Sequence, residues 1–310
     1  MKFGFIGGTP RGFSLMQVLT KHGYKPEFCV ILKEDDHENL KVSDKFLEFS
    51  QNSGIPTSVK KKLSDADYET IKTSNLDFII VCGWRTLIKP FVNDYLKMGM
   101  IAAHDSLLPA YRGFAPLNWA IIHGEKQTGV SLFIINDGET DSGDIVLQKT
   151  VSIGETEYAE EVYHKIIDAT NAAYLEMMEV YAHSGRLQTY SQDEALATYT
   201  CKRTPDDGKI DWNASSYSVY NLIRALAYPY SGAFFYHNNI KYTVKTAGIG
   251  PQNAKVFSGR IAGRVIAIYH DGIEVLCGEG SVKIHTLYSE NSDTELNAAD
   301  IFKSIVIKLV

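Results

Sequence analysis

His104 is the residue of this sequence that is best placed for chemistry. It directly follows residues 98–103, a near-continuous apolar run that predicts a strand. Open α/β sheets form their binding sites at the carboxyl ends of such strands. The loop at residues 104–113 also contains a proline, an arginine and a glycine. Imidazole titrates near neutral pH, so the position suits a functional residue, with a surface or structural histidine as the alternative.

A second loop, residues 136–144, could bring a carboxylate to the same edge of the sheet. It follows the apolar run at residues 130–135 and contains Asp137, Asp141 and Asp144. A calcium site is not indicated, because the EF-hand spacing and its terminal glutamate are absent. An aspartate beside the histidine would raise the basicity of the imidazole and fix its tautomer. The alternative is an ordinary solvated turn.

A glycine-rich segment, residues 7–12, follows the first predicted strand and invites comparison with dinucleotide-binding loops. The order G-x-G-x-x-G is not met, and Pro10 lacks the backbone N–H that a pyrophosphate would use. The segment therefore does not predict NAD binding.

Apolar runs and helical patterns alternate along the first two thirds of the chain, and they indicate the scaffold of these loops. Predicted strands cover residues 2–6, 28–32, 77–82, 98–103 and 130–135. Near-continuous apolar runs are typical of parallel strands, so we predict a doubly wound α/β domain. The best helical pattern, residues 160–183, has an apolar stripe that includes Val180, and Gly185 is suited to a C-terminal cap.

The pattern changes near residue 200. Short predicted strands, separated by turn signals, cover residues 233–236, 240–245, 263–269, 272–277 and 281–287. Their regular spacing predicts a small barrel or sandwich. We therefore predict an α/β domain at residues 1–195 and a smaller β-rich domain at residues 200–310.

Composition limits the classes of partner. The 310 residues carry a net charge of -6, which weighs against nucleic acid because phosphate binding needs a basic surface. The four cysteines lack metal-type spacing and indicate reduced thiols in a cytosolic protein. No signal peptide and no membrane span is predicted. We expect a soluble, cytoplasmic protein without a metal.

Taken together, these segments resemble the 10-formyltetrahydrofolate-dependent formyltransferase family. The family block His-x-Ser-Leu-Leu-Pro-x-Tyr-Arg-Gly is complete at residues 104–113, and the element Asp-x-Gly-Asp matches residues 141–144. The likeness continues through residues 115–130, 203–212 and 221–233 and spans nearly the whole chain. It extends to bacterial sugar N-formyltransferases and to the formyltransferase domain that acts on UDP-4-amino-4-deoxy-L-arabinose. The resemblance implies a Rossmann-like catalytic domain followed by a smaller OB-like domain.

The resemblance also implies formyl transfer from 10-formyltetrahydrofolate to an amine. It assigns proton transfer and polarisation of the formyl oxygen to His104, and orientation of that ring to Asp141, with Asp137 or Asp144 as alternatives. The family has an oxyanion-binding asparagine where this chain has Ala102. Losing one such donor costs roughly 2.7–4 kcal/mol of transition-state stabilisation. Ala102 is therefore either an engineered replacement or the mark of a naturally slow or inert relative.

Further site residues follow from the same resemblance. The implied folate site contains Trp84, Arg85, Leu87, Ile88, Asp137 and Asp141. For Leu87 and Ile88 a place in the core is the alternative. Candidates for binding the acceptor are Thr9, Arg11, Ser106, Tyr111, Arg112, Arg224 and Tyr228.

The favoured acceptor is a nucleotide-linked amino sugar of surface-glycan biosynthesis. Relatives that formylate tRNA carry a basic insertion after the second strand, whereas residues 33–39 here are acidic and would repel phosphates. Methionyl-tRNA formyltransferase therefore remains only an alternative, as does an inert relative that binds folate or nucleotide sugar. We expect a homodimer that binds reduced folate and the nucleotide-linked sugar, without nucleic acid or membrane.

Overall fold

The apolar runs of the first part of the chain form one seven-stranded sheet in the computed structural model, which describes residues 1–35, 41–251 and 256–310. The strands are β1 (Phe3–Gly7), β2 (Phe28–Leu32), β3 (Thr57–Lys60), β4 (Phe78–Cys82), β5 (Met100–His104), β6 (Gln127–Ile134) and β7 (Ile145–Ser152). Their order is β3-β2-β1-β4-β5-β6-β7. The pairs among β1 to β5 are parallel, whereas β6 runs antiparallel to β5.

Burial explains why these runs are so uniformly apolar. Every residue of β1 and β4 is buried, as expected for central parallel strands covered on both faces. The predicted α/β domain is confirmed. The strand β3 was not predicted, because its four residues are all half-buried and include a lysine, so they give no apolar run.

Seven α-helices lie in the described part of the chain. They are α1 (Thr9–Lys21), α2 (Ser43–Asn52), α3 (Asp65–Thr73), α4 (Pro116–Ile122), α5 (Ala159–Ser184), α6 (Ser216–Leu226) and α7 (Ala298–Ile301). The helix α3 was not predicted, although Ser64 and Asp67 form the capping box that marks its start. None of the described helices combines the length and the apolar composition needed to cross a membrane.

The long helix α5 matches the predicted segment within one residue at each end. Gly185 follows it with a φ of +68°, which confirms the predicted cap. The assignment of Val180 to the buried stripe was wrong, because its side chain is 46% exposed. Near its end the helix buries Tyr174, Met178 and Tyr181 instead, a spacing that turns Val180 away from the core.

The chain divides into two units, each assembled from three stretches. The first unit comprises Met1–Gly113, Thr128–Val151 and His164–Thr200, and the second comprises Phe114–Gln127, Ser152–Tyr163 and Cys201–Val310. The first unit contains a further two-stranded ladder between Arg112–Gly113 and Tyr199–Thr200.

The second unit contains an antiparallel sheet, which confirms the predicted β-rich domain. Its strands are β8 (Ala233–His237), β9 (Ile240–Ile249), β10 (Val265–Tyr269), β11 (Gly272–Leu276), β12 (Ser281–Ser289) and β13 (Ser292–Asn297). They pair in the order β8-β9-β12-β11-β10, and β13 pairs with β12. Val219 and Ile223 of α6 belong to the same buried cluster as Val244 and Ile284. The finer comparison with an OB fold stays a prediction.

Close packing accounts for the glycine-rich segment at residues 7–12. A Cβ at Gly7 would overlap the carbonyl oxygen of Cys82, and one at Gly12 would lie 2.7 Å from it. Gly83 has a φ of +72°, and a Cβ there would overlap the carbonyl oxygen of Gly8. These glycines let the turn between β1 and α1 lie directly against the end of β4, where a cleft opens in the first unit.

Gly83→Ala should therefore destabilise the protein by about 1–3 kcal/mol more than a matched substitution at an open site. Gly54→Ala is that control, since Gly54 has a φ of +70° but no atom lies within 4 Å of the place that a Cβ would take. Urea denaturation of both variants measures the difference. Equal free energies of unfolding would contradict the close approach.

Candidate active site

A cleft of about 370 Å³ opens in the first unit at the carboxyl ends of β4 and β5. Its volume is typical of a small-molecule site. The residues that line it are Arg11, Val81, Gly83, Trp84, Thr86, Leu87, Ile88, Ala102, Ala103, His104, Gly113, Phe133, Ile135, Asn136, Gly138, Glu139, Thr140 and Asp141. The two loops singled out in the sequence therefore meet at one cleft.

His104 ends β5 and is buried in this cleft with an exposure of 8%. Its Nε2 lies 2.8 Å from the carbonyl oxygen of Tyr111. Because a carbonyl only accepts, Nε2 must carry the proton and donate it. In the neutral ring Nδ1 then holds a lone pair, and it faces Oδ2 of Asp141 at 3.6 Å. Nδ1 is thus the ring atom that is able to receive a proton.

Burial is the main influence on the charge of His104. It lowers the pKa of the imidazole, and the neighbouring charge of Arg11 acts in the same direction. The carboxylate of Asp141 and the hydrogen bond to Tyr111 act against this and raise the pKa. The net pKa is lowered, so the ring is neutral at pH 7 and is available as a base.

Asp141 is fixed by contacts from two directions. Its Oδ2 accepts a hydrogen bond of 2.9 Å from the backbone N–H of Gly113. The Nε2 group of Gln192 donates to the carbonyl oxygens of Asp141 and Gly143, both at 2.7 Å. With a φ of +55°, Asp141 also occupies the left-handed region that non-glycine residues seldom adopt. The loop therefore presents its carboxylate in a fixed position.

Arg112 holds Gln192 in place and does not face the cleft. Its guanidinium donates to the side chains of Gln192, Glu194 and Tyr199 through five hydrogen bonds of 2.7–3.0 Å. Arginine has five N–H donors, so none remains for a phosphate, and the side chain is fully buried. These contacts favour a positioning role for Arg112 over the predicted contact with the acceptor.

Arg112→Met should destabilise the protein by about 2 kcal/mol, because it removes five hydrogen bonds made by a fully buried side chain. It should also loosen the loop that holds Asp141, because Gln192, which binds that loop, loses its partner. The control is Arg186→Met, at an arginine that is exposed in the same unit. Urea denaturation measures the loss, and two variants of equal stability would argue against the positioning role.

Arg11 is the one lysine or arginine among the lining residues described above. It forms an ion pair with Asp105, and its Nη2 lies 3.5 Å from the carbonyl oxygen of Ala103. Both partners flank His104 in the sequence. Asp105 was missed by the sequence reasoning, because it occupies a variable position of the family block and carried no signal of its own.

The predicted folate residues divide into two groups. Trp84, Leu87 and Ile88 line the cleft together with Asp141, whereas Arg85 and Asp137 are exposed and are not among its lining residues. Nε1 of Trp84 is buried and has no hydrogen-bond partner among residues 1–35, 41–251 and 256–310. A ligand with an acceptor at that wall would satisfy it.

Other predicted acceptor residues of the first unit lie outside the cleft lining. The hydroxyl of Ser106 is buried and donates to the carbonyl oxygen of Ala110 at 2.6 Å. Tyr111 contributes its backbone, since its N–H donates to the hydroxyl of Thr198 and its carbonyl oxygen accepts a hydrogen bond from Nε2 of His104. Thr9 begins α1 with a φ of +63°. Ser106 is therefore already used within the protein.

Arg224 and Tyr228 belong to the second unit. The guanidinium of Arg224 donates to Asn221 and to the carbonyl oxygens of Gly154 and Glu157, and the residue is only 3% exposed. These hydrogen bonds give Arg224 a structural role that does not depend on contact with the acceptor. Tyr228 is 53% exposed.

The acidic stretch at residues 33–39 is described only in part. Glu34 accepts hydrogen bonds from the N–H groups of Val42 and Ser43 at the start of α2, and Asp35 pairs with Lys61. Residues 36–39 lie outside the described residues. Within the described ranges, no three His, Cys, Asp or Glu side chains are grouped so that they could hold a metal ion.

Two family models match this chain. One, described as formyl transferase, matches residues 26–178, and the other, described as formyl transferase, C-terminal domain, matches residues 202–305. The two matches divide the chain close to the point where the sequence pattern changes.

Solved structures share this fold at low sequence identity. A substituted variant of HypX from Aquifex aeolicus is 18% identical over 97% of this chain and 47% of its own, with a TM-score of 0.64. The chain thus spans about half the length of HypX. WlaRD, a sugar 3N-formyl transferase solved with dTDP and 5-N-formyl-THF, is 16% identical over 94% of this chain and 98% of its own (TM-score 0.68). An N-formyltransferase from Helicobacter canadensis, in complex with folinic acid and dTDP-3-aminofucose, is 17% identical over 93% and 100% (TM-score 0.69).

Proposed function

The chain belongs to the formyltransferase family, and from this premise we propose that it transfers a formyl group from 10-formyltetrahydrofolate to the amine of a nucleotide-linked amino sugar. The observation that carries the proposal is the buried pair of His104 and Asp141 in a cleft of small-molecule size. The ligands of WlaRD and of the Helicobacter canadensis enzyme support the class of donor and acceptor.

The walls of the cleft suit a flat, partly apolar donor. Val81, Ile88 and Phe133 are buried apolar residues of its lining, and Trp84 offers an unpartnered N–H beside them. Leu87 is 88% exposed at the same cleft, so binding of a ligand would cover apolar surface. When bound, the folate supplies an activated formyl carbon.

Proton transfer is the task of His104. Its Nδ1 accepts the proton of the attacking amine, because Nε2 is already committed to Tyr111. The ring then becomes an imidazolium whose new N–H faces Asp141, and the negative carboxylate stabilises that charge. Asp141 thus supports the protonated ring, which returns the proton to N10 of the leaving tetrahydrofolate when the bond between N10 and the formyl carbon breaks.

Stabilisation of negative charge on the formyl oxygen has a different source in this chain. Ala102 offers no donor at the position where the family has an asparagine. Arg11 is the cationic group of the cleft, and a guanidinium in a buried site stabilises developing negative charge strongly. We therefore assign part of this task to Arg11 in place of acceptor binding.

A direct assay tests the function. The purified protein is mixed with 10-formyltetrahydrofolate and a panel of UDP- and dTDP-linked amino sugars, and mass spectrometry detects the formylated sugar. Formylation of one class of sugar supports the proposal. If calorimetry detects binding of folate and sugar without any product, the inert relative is favoured, and formylation of methionyl-tRNA alone would favour the tRNA enzyme.

Asp141→Asn should lower kcat by about 100-fold or more, since the imidazolium loses its counter-charge. It should also move the titration of His104 to lower pH, because the carboxylate that raises its pKa is gone. NMR titration of the ring measures the shift. Asp137→Asn is the matched control in the same loop, as Asp137 is exposed and lies outside the cleft lining. Equal effects of both substitutions would contradict the assignment.

A further inference from the structure

Arg203 of the second unit lies against the indole ring of Trp119. The guanidinium carbon is 5.6 Å from the centre of the ring. The ring itself is fixed, because Nε1 of Trp119 donates a hydrogen bond of 3.0 Å to the carbonyl oxygen of Cys201. The pair therefore places a cation over an aromatic ring that is itself held in position.

The guanidinium of Arg203 forms no hydrogen bond and no ion pair with any described residue. Its Nε is buried without a partner. The charge of Asp207 acts on Arg203 and raises its pKa, but less than burial lowers it. The carboxylate of Asp207 accepts from the N–H and hydroxyl of Thr204, at 2.6 and 2.9 Å, and caps a short 3-10 helix. Arg203 is thus a half-buried cation without an ion-pair partner among the described residues.

The buried arginines among the described residues differ from Arg203. Arg11 forms an ion pair with Asp105, Arg112 has all five donors satisfied, and Arg224 has acceptors for three bonds. A half-buried cation without such partners is unfavourable in the folded protein, and burial lowers the pKa of Arg203 accordingly. A structural role of Arg203 would not require a half-buried charge without hydrogen-bond partners, whereas a bound anion would supply those partners.

We propose that Arg203 and Trp119 form a binding site for an oxyanion, namely a phosphate group of a nucleotide. An arginine that is stacked on an aromatic ring keeps its N–H edge for a bidentate contact with phosphate or carboxylate. The phosphates of the acceptor and the carboxylates of reduced folate share this chemistry. The link to the acceptor rests on the proposed function, but the oxyanion site itself does not.

Calorimetry with pyrophosphate, dTDP, UDP and tetrahydrofolate tests the site in the full chain. Arg203→Gln should weaken binding of pyrophosphate and of the nucleotides by about 10- to 100-fold, with less effect on tetrahydrofolate. Arg203→Lys should give an intermediate loss, because lysine lacks the planar fork. Lys202→Gln is the control, since it removes an exposed charge next in sequence.

Stability separates binding from a structural role. Without ligand, Arg203→Gln should unfold at the same temperature as the parent or higher, because it removes an uncompensated charge. A marked fall in Tm for both Arg203 variants, or unchanged pyrophosphate binding in Arg203→Gln, would overturn the proposal, as would absence of oxyanion binding by the parent. A selective loss of tetrahydrofolate binding would identify folate as the source and overturn the assignment to phosphate. These measurements need no formyl transfer, so they fail or succeed independently of the proposed function.

Discussion

His104→Gln should reduce formyl transfer by about 100- to 10,000-fold, the range over which positioned proton transfer acts. Glutamine keeps a donor for the carbonyl oxygen of Tyr111 but offers no nitrogen that titrates near neutral pH. Binding of tetrahydrofolate should change little, since the apolar walls of the cleft remain. Single-turnover kinetics and calorimetry measure the two effects separately.

The pH dependence of the parent protein follows from the same residue. The base must be deprotonated, so kcat/KM should rise with pH and level off once His104 has lost its proton. Burial lowers the pKa of His104, so the midpoint of this rise should lie below the usual pKa of histidine. If kcat/KM still increased steeply above pH 7, the role of this ring as the base would be refuted. A His104→Gln variant with nearly full activity would refute it as well.

The pairing of His104 with Asp141 was expected from the sequence, but the reason offered there holds only for parallel strands, whose following loops lie at one edge of the sheet. The strand β6 is antiparallel to β5, so His104 lies opposite Ser131, whereas Ile134, at the end of β6, lies opposite Ile101. The loop at residues 136–144 therefore starts near the beginning of β5, and its own course brings Oδ2 of Asp141 to 3.6 Å from Nδ1 of His104. The residue types thus predicted the pair, whereas the direction of β6 could not be predicted, because an apolar run carries no information about strand direction.

The partners of the arginines could not be predicted in this way. Arg112 and Arg11 were both candidates for binding the acceptor, yet their partners include Glu194, far along the chain, and Asp105, at a variable position. Residue types and spacing do not reveal which guanidinium group finds acceptors for its N–H groups within the protein. Only the three-dimensional contacts separate Arg112, which is fully bonded, from Arg203, which is not.

Ala102→Asn should raise kcat by about 100-fold. Ala102 lies two residues before His104 on β5, so both side chains point to the same face of the sheet, and both line the cleft. An asparagine there adds an amide donor to a site whose remaining positive group is Arg11. One such donor contributes about 100- to 1000-fold in rate. Because Arg11 already supplies part of the stabilisation, we expect the lower end of that range.

Ala102→Leu is the matched control, because leucine has nearly the shape of asparagine but no donor. It should give no gain in rate, so that a gain in Ala102→Asn alone is due to the amide. The role of Arg11 predicts in addition that Arg11→Gln lowers the rate more in the parent than in the Ala102→Asn variant, since the new amide shares its task. The Ala102→Asn variant could instead be folded and bind folate without any gain in the rate of formyl transfer. In that case the cleft lacks more than one hydrogen-bond donor. The chain would then be better described as a protein that binds its ligands without transferring a formyl group.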